Sequence, residues 1–435
     1  MAKSPATVNP GKALLPSMHS MKPVDVLIVG GGAVGLACAH YLVQAGREVC
    51  VIERDTVGNG ASHGNCGLVV ASYLLPLCAP GVVRKELRGL LRPDSPLYIK
   101  PALDLALWSW LVKFAARCRP AFLQEAVRAR ERLLGSSDRL FQALLRDHAL
   151  DAEFERRGHL IVFRTEHGMQ GYEAKNEQLR PFGHAAEPLT GRALRALEPA
   201  LREDVFGAWY HSTDSHLRPD RLLASWKQVL IESGVGFEEG CRLERFRSTG
   251  DRVTGVVTPK GEFTAAEVVL AAGAWSAPIA AELGLRLPLQ PGKGYSVTMA
   301  RPAVCPRIPC SFAERRVVAT PWPSGYRLGG TMEFSGFSTA LDPRRLAALT
   351  AAAGEYLTDP VGHPVVERWA GLRPMTYDDL PVIGRAPRFR NLTLATGHGM
   401  LGITTAPATG KLVAEIVCGR EPHIDPRPFR PERFN

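Results

Sequence analysis

One arginine and one glycine turn carry most of the chemistry that can be read from this chain. Arg373 stands in "AGLRPMTYDDLPVIG", framed by Gly371, Leu372 and Pro374, with Asp378 and Asp379 close behind. A guanidinium is planar and always charged, so it can hold a carboxylate through two parallel hydrogen bonds. A turn framed by glycine and proline keeps such a side chain pointing one way. The competing reading is a structural arginine paired with Asp378 or Asp379. The second signal is "VDVLIVGGGAVGLACAHYLVQAGREVCVIERD", where Gly30, Gly32 and Gly35 fall in G-x-G-x-x-G register. Glycine lets the backbone turn sharply and lets a pyrophosphate approach it closely, at the positive end of the following helix. Gly31, Ala33 and Val34 complete that turn. Glu53 follows Gly35 by 18 residues, at the end of the next apolar run, where a carboxylate can accept hydrogen bonds from a ribose.

These residues need a strand, a turn, a helix and a second strand. The apolar run 26–29, the glycine turn, a helix over 36–44 and a strand over 49–52 supply them at the length of a βαβ crossover. The glycine motif alone does not separate NAD from FAD. Three features favour FAD: the N-terminal place of the unit, the small and polar loop "GNGASHGNCG" soon after the acid, and the lack of a second such motif. In that loop Ala61 and Ser62 can reach phosphate, and Asn65, Cys66 and Gly67 a flat ring.

Composition narrows the class. The chain has 435 residues, 45% of them hydrophobic and 22% charged, which suits a globular protein with room for two interwoven domains. No apolar run is long enough for a spanning helix. The first 21 residues read as a disordered leader. Nine cysteines lie scattered, the closest pair being Cys305 and Cys310, which fits free thiols in a reducing compartment. No His/Cys cluster has ligand spacing, so no metal site is expected. The formal charge of +10 is spread along the chain without an aromatic-interleaved basic stripe. Nucleic acid is therefore not the expected partner, and an anionic membrane surface is the better candidate.

Further along, 81–150 reads as largely helical, with Trp108 and Trp110 assigned to the core. Short strands are expected at 160–162 and 206–210. A helix begins near Pro219 and ends near Gly234, followed by a meander with strands around Leu243, 253–257 and Phe263. "EVVLAAGAWS" reads as another buried strand, and 286–340 as an antiparallel sheet. A helix over 343–356, the strand "NLTLATG" and the helix "APATGKLVAEIVCG" complete the pattern.

Five pieces in this order, "VDVLIVGGGAVG", the "GASHGNCG" loop, "VVLAAGAWS", "GLRPMTYDDLPVIG" and "GHGMLGITTAPATGKLVAEIV", resemble the D-amino-acid oxidase superfamily. The chain is most similar to its bacterial D-amino-acid dehydrogenase branch, from about residue 24 to the closing "FRPERF". The resemblance implies an α/β fold, with a glutathione-reductase-like, Rossmann-like FAD-binding domain interwoven with an α+β substrate domain holding a mixed or antiparallel sheet. The expected FAD domain spans 22–85, 206–285 and 365–435, and the substrate domain 86–205 and 286–364. FAD, bound non-covalently, would meet Gly30 to Gly35 at its pyrophosphate, and Glu53 and Arg54 at the adenosine ribose. Ala61, Ser62, Asn65, Cys66, Gly67 and Leu68 would follow along the phosphate and ring, Leu243 at adenine, and Ala272 and Gly273 again at the pyrophosphate. Gly397, His398, Gly399, Met400, Leu401, Gly402 and Ile403 would open a helix toward the flavin. Arg373 would pair with the carboxylate of an amino acid.

One departure stands out. Oxidases of the superfamily often place a tyrosine where this chain has Val318, in "VVATP". Tyr295, Tyr377 and His398 are then the candidates for a second carboxylate donor. Cys66 and His63 lie near the expected flavin as weaker candidates for covalent attachment. The implied activity is dehydrogenation of a small D-amino acid, D-proline or cis-4-hydroxy-D-proline among them, with a quinone or an electron-transfer protein as acceptor. An oxygen-using oxidase and a flavin-binding subunit without turnover are the alternatives. The expected location is cytoplasmic, with peripheral contact at the inner face of a bacterial membrane as a candidate.

Overall fold

The computed structural model describes residues 22–84, 97–101 and 103–434. The expected leader, 1–21, and the stretch 85–96 of the region read as helical lie outside the described residues. Two large sheets organise the chain. The first grows from Lys22–Val29, whose last four residues are buried because a parallel strand is covered on both faces. It pairs in parallel with Val49–Ile52 through the crossover helix Ala33–Gln44 and, on its other side, with Gly261–Leu270. Gly236–Glu238 extends the sheet beyond Val49–Ile52, and Leu392–Thr396 joins Gly261–Leu270 in parallel. The hairpin partners Arg245–Thr249 and Arg252–Thr258 close one edge, and Val382–Arg385 pairs with Leu392–Thr396. This is the Rossmann-like unit expected from the glycine motif. Leu243, expected in a strand, precedes the one that begins at Arg245.

Nine strands form the second sheet, in the order Val365–Thr376, Leu289–Met299, Gly325–Phe334, Val317–Trp322, Cys310–Phe312, His159–Phe163, Gly207–His211, Glu187–Thr190, with Leu97–Ile99 beside Gly325–Phe334. Most pairs are antiparallel. Cys310–Phe312 with His159–Phe163, and Leu97–Ile99 with Gly325–Phe334, are parallel, so the sheet is mixed. Two of its strands, Gly207–His211 and Val365–Thr376, come from stretches that the sequence had placed with the nucleotide-binding part. The reason is register: Val365–Thr376 pairs with Leu289–Met299 along its length, so "GLRP" belongs to the second sheet and carries Arg373 to the boundary between the two.

Helices cover the sheets. Ala33–Gln44 packs against Gly402–Val417, and a Cβ at Gly410 would lie 2.4 Å from the Ala37 carbonyl, so only glycine permits this approach. Pro120–Asp147 packs on Gly402–Val417 from the other side. In Leu105–Arg117 the two tryptophans part: Trp110 is buried and donates its indole N–H to the Pro288 carbonyl, whereas Trp108 is 52% exposed. The core assignment therefore fails for Trp108. It lies two positions from Trp110, and residues so spaced do not share a helix face.

Candidate functional site

A cavity of about 2120 Å³ runs from the glycine turn to Arg373, lined from both sheets. At one end the first sheet presents the turn after Lys22–Val29. A Cβ at Gly35 would fall 1.9 Å from the Gly30 carbonyl oxygen, and one at Gly30 would fall 2.6 Å from that of Ala271, so the helix can approach the strands only with glycine at both places. Gly31 donates its N–H to Glu53 Oε2 at 2.8 Å, and Asp55 donates to Glu53 Oε1 at 3.0 Å, which fixes the carboxylate at the strand end. Ala33 donates to Ser62 Oγ at 3.2 Å, tying the second loop to the helix start. Beside Glu53, the Arg54 guanidinium lies 3.5 Å from the Trp275 ring centre.

The second loop is clamped from behind. Arg327, 1% exposed, donates to the carbonyls of His63 at 2.8 Å and Asn65 at 2.7 Å, and to Thr298 Oγ1 at 2.8 Å. Asn65 Oδ1 accepts from the Gly67 amide at 2.7 Å, and Gly67 takes a left-handed turn against the Leu217 carbonyl. His63 turns away to Glu367, 2.8 Å from its Nε2, and does not line the cavity. Cys66 does line it, and burial pushes its thiol up from the usual range.

These residues fit a dinucleotide with a flat ring. Gly30, Gly32, Ala33, Val34, Glu53, Arg54, Ala61, Ser62, Asn65, Cys66, Leu68, Leu243, Ala272 and Gly273 all line the cavity, as do His398, Gly399, Met400, Leu401, Gly402 and Ile403. Both helices that begin on it, Ala33–Gln44 and Gly402–Val417, start without a side-chain cap, leaving first-turn amides for a ligand's oxygens. Four glycines of the expected set stay behind the wall. Gly31 serves Glu53, Gly35 the strand–helix contact, Gly67 the Leu217 turn, and Gly397 a left-handed turn against Thr376.

At the far end, Arg373 enters the cavity from Val365–Thr376. Its Nη1 donates to the Thr331 carbonyl at 2.8 Å, and the guanidinium packs over Gly294, where a Cβ would lie 2.3 Å away. Burial lowers its pKa. The structural pairing does not form. Asp378 binds Arg433 at 2.8 Å and Asp379 binds Arg130 at 3.0 Å, and among the described residues Arg373 has no carboxylate partner. Tyr295 lines the cavity and donates its hydroxyl to Glu333 at 2.9 Å, and burial raises its pKa. His398 lines it as well, with Nε2 3.0 Å from Thr409 Oγ1, and burial lowers the imidazole to about 3, so it is neutral. Tyr377 lies outside the lining, edge-on to Phe434 with Lys113 over its ring.

Val318 lines the cavity, and Ser311 sits opposite it on the adjoining strand. Tyr73 and Trp275 also line it, though the sequence had not singled them out. Trp275 was within reach, since it stands two residues after Gly273 in "AAGAW". Tyr73 carried no local signal, because its neighbours come from strands far along the chain. Among the described residues no group of His, Cys, Asp or Glu is placed to hold a metal, and no helix is long and apolar enough to cross a membrane.

A family model described as FAD dependent oxidoreductase, DAO, matches residues 25–416. The D-amino acid dehydrogenase of Granulibacter bethesdensis is 34% identical over 412 residues, covering 92% of this chain and 97% of that protein. The D-amino acid dehydrogenase of Cereibacter sphaeroides is 33% identical over 424 residues, 94% of this chain and 95% of that protein. Among solved structures, glycine oxidase from Geobacillus kaustophilus superposes with a TM-score of 0.72 at 24% identity, over 94% of this chain and 98% of its own. L-proline dehydrogenase from P. horikoshii gives 0.72 at 20% identity, over 95% and 98%.

Proposed function

Because the chain belongs to the DAO family of FAD-dependent oxidoreductases, we propose that it dehydrogenates a small D-amino acid and passes the electrons to a quinone or electron-transfer protein. The observation that carries this reading is Arg373: a half-buried guanidinium at the cavity wall, with one short bond to a backbone carbonyl and, among the described residues, no carboxylate partner. The substrate carboxylate supplies the missing partner. Partial burial adds to the case, because a charge held off bulk water without a counter-ion is costly until an anion arrives.

FAD would lie with its pyrophosphate along Gly30, Gly32, Ala33, Ala272 and Gly273, its ribose at Glu53 and Arg54, and its adenine by Leu243. Its ring would lie among Asn65, Cys66, Leu68 and residues 399–403. Bound there, FAD supplies a two-electron acceptor for the Cα hydrogen as hydride, leaving an imino acid that water converts to a 2-oxo acid and ammonia. A cyclic substrate such as D-proline or cis-4-hydroxy-D-proline leaves as a pyrroline carboxylate. The protein's own part is orientation. Arg373 fixes the carboxylate, and the Glu333 contact holds the Tyr295 hydroxyl in one direction, with an oxygen lone pair left for a ligand donor. His398, neutral and tied to Thr409, adds no positive charge beside the substrate.

The acceptor reading draws on the dehydrogenase names of the relatives and on one helix. Leu105–Arg117 lines the cavity with Trp110, Leu111 and Phe114, while Leu105 and Val112 face outward beside Lys113. A surface of apolar residues and lysine suits an anionic bilayer in which a quinone is dissolved. The deciding experiment is anaerobic mixing of the flavin-loaded protein with D-amino acids, glycine, sarcosine and cis-4-hydroxy-D-proline. Bleaching of the flavin by one of the D-amino or D-imino acids supports the reading. Bleaching by none of the compounds sinks it in favour of a flavin-binding subunit, and steady peroxide release in air overturns the choice of acceptor.

A further inference from the structure

Behind the cavity wall, on the side of Val318, lies a file of buried polar groups that the reading above does not use. Asp214 is fully buried in the turn between Gly207–His211 and Ser215–His216. Ser72 donates to it twice, from Oγ at 2.6 Å and from the backbone N–H at 3.3 Å. Among the described residues no arginine or lysine pairs with this carboxylate. Its neighbour is His159, also fully buried, whose Nδ1 stands 3.8 Å from Asp214 Oδ2. The other ring nitrogen of His159, Nε2, is 2.7 Å from Ser311 Oγ. Ser311 reaches the cavity wall, and so does Tyr73, whose ring centre is 6.2 Å from that of His159. Burial raises the Tyr73 phenol to about 12, and the nearby Ser311 hydroxyl pulls against that rise. Cys66 Sγ lies against Gly329, which pairs with Val318 and through it with Ser311, and Arg373 bonds to the Thr331 carbonyl two residues along the same strand, so Ser311 and the guanidinium meet neighbouring parts of the cavity wall.

A buried carboxylate without a permanent cation is costly, and placing it beside a histidine makes sense where a proton arrives and leaves. An amino acid reaches the site as an ammonium, yet hydride loss from Cα needs the nitrogen lone pair. We propose that Tyr73, Ser311 and His159, backed by Asp214, form a proton path that takes the proton of the substrate ammonium, so that the amine is neutral when its Cα–H bond breaks. The proposal rests on the amino-acid reading of the site. The step balances: the ammonium N–H bond breaks and a new O–H bond forms on Tyr73, whose own proton moves to Ser311 Oγ. The Ser311 proton in turn moves to Nε2 of His159. One proton travels, no electrons move, and the positive charge passes from the ammonium to an imidazolium facing Asp214. The surrounding titratable groups are poor competitors for that proton. Burial holds His211 and His216 down to about 4 and keeps the Cys66 and Tyr172 protons on. Arg157 beside His216 further disfavours a charge on that ring, Asp214 works the other way on His211 without offsetting its burial, and Glu155 stands 3.9 Å from His216.

The test is the pH profile of anaerobic flavin reduction in the holoenzyme, wild type against Tyr73→Phe, Ser311→Ala and the double variant, with flavin content and melting temperature measured alongside. The path predicts that each single variant loses on the order of 100-fold in kcat/KM near pH 7. It also predicts that the loss fades as the pH passes the pKa of the free substrate amine, and that the double variant falls no further than the singles. KM for the carboxylate changes little, because Arg373 is intact. Ser311→Ala with the profile of the wild type, or losses that multiply in the double variant, overturn the path. If no amino acid bleaches the wild-type flavin, the reading of the function falls and takes the path with it; normal bleaching with unshifted variants sinks the path alone.

Discussion

At the scale of single residues, Arg373 carries the sharpest prediction. A hydrogen bond to a charged group contributes about 1.5–3 kcal/mol, so removing a bidentate pair raises KM by on the order of 100-fold or more. Arg373→Leu is expected to show that rise for carboxylate substrates while FAD stays bound, and steady-state kinetics with flavin absorbance checks both halves. Arg373→Lys recovers only part, since an ammonium cannot offer the planar fork. An unchanged KM in the leucine variant ends the assignment. Arg373 was legible because its Gly/Pro frame is local. What settled its freedom was not: Asp378 and Asp379 are drawn off by Arg433 and Arg130, from the C-terminal tail and the helix Pro120–Asp147. Tyr73 shows the opposite case, an unremarkable residue in sequence that the fold brings to the cavity wall, its ring 6.2 Å from that of His159. Tyr377 shows a third. Chain proximity to Arg373 suggested a role at the site, but the strand ends at Thr376 and the closing segment packs against the Tyr377 ring through Phe434.

At the scale of elements, the glycine turn and its crossover were readable from period and spacing, and the structure returns them with the second strand as expected and the first strand and the helix starting earlier, at Lys22 and Ala33. The second sheet was readable only as a set of short strands. Its order depends on pairings between distant segments, which is why Val365–Thr376 changed sheets. The contact between Ala33–Gln44 and Gly402–Val417 yields a prediction. In Gly410→Ala the new Cβ lands 2.4 Å from the Ala37 backbone, and the helices must part. Overpacking of this kind costs about 1–3 kcal/mol, and the displaced helix start would also weaken the flavin site. A lower melting temperature with earlier flavin release is the expected result, and an unchanged melt would show that the interface yields more easily than the geometry implies. The helix Leu105–Arg117 gives another. Leu105 is 84% and Val112 68% exposed, and neither lines the cavity. Replacing both with serine is expected to reduce retention on phosphatidylglycerol vesicles several-fold while turnover with a soluble dye stays the same. Equal retention removes the helix as the docking face.

At the scale of the whole molecule, four buried histidines tie stability to pH. Burial depresses His40, His211 and His216 to about 4 and His398 to about 3, all below the ordinary imidazole value of about 6.5. In the unfolded chain each takes up a proton as the pH drops through that ordinary value, whereas in the fold each stays neutral. The unfolded state therefore binds more protons on the acid side, and stability falls with pH below about 6.5 by up to about 1.4 kcal/mol per pH unit for each such histidine. Above that value these four groups contribute no slope, because both states are neutral. The loss continues downward until the native histidines protonate in turn. Urea titrations at a series of pH values between 7 and 5 measure the slope directly. His40→Gln, remote from the cavity lining, removes one of the four protons and is expected to flatten the slope by about one proton's worth. A slope that His40→Gln leaves unaltered would mean that this imidazole is charged within the fold, which its burial against Trp226 and His148 argues against.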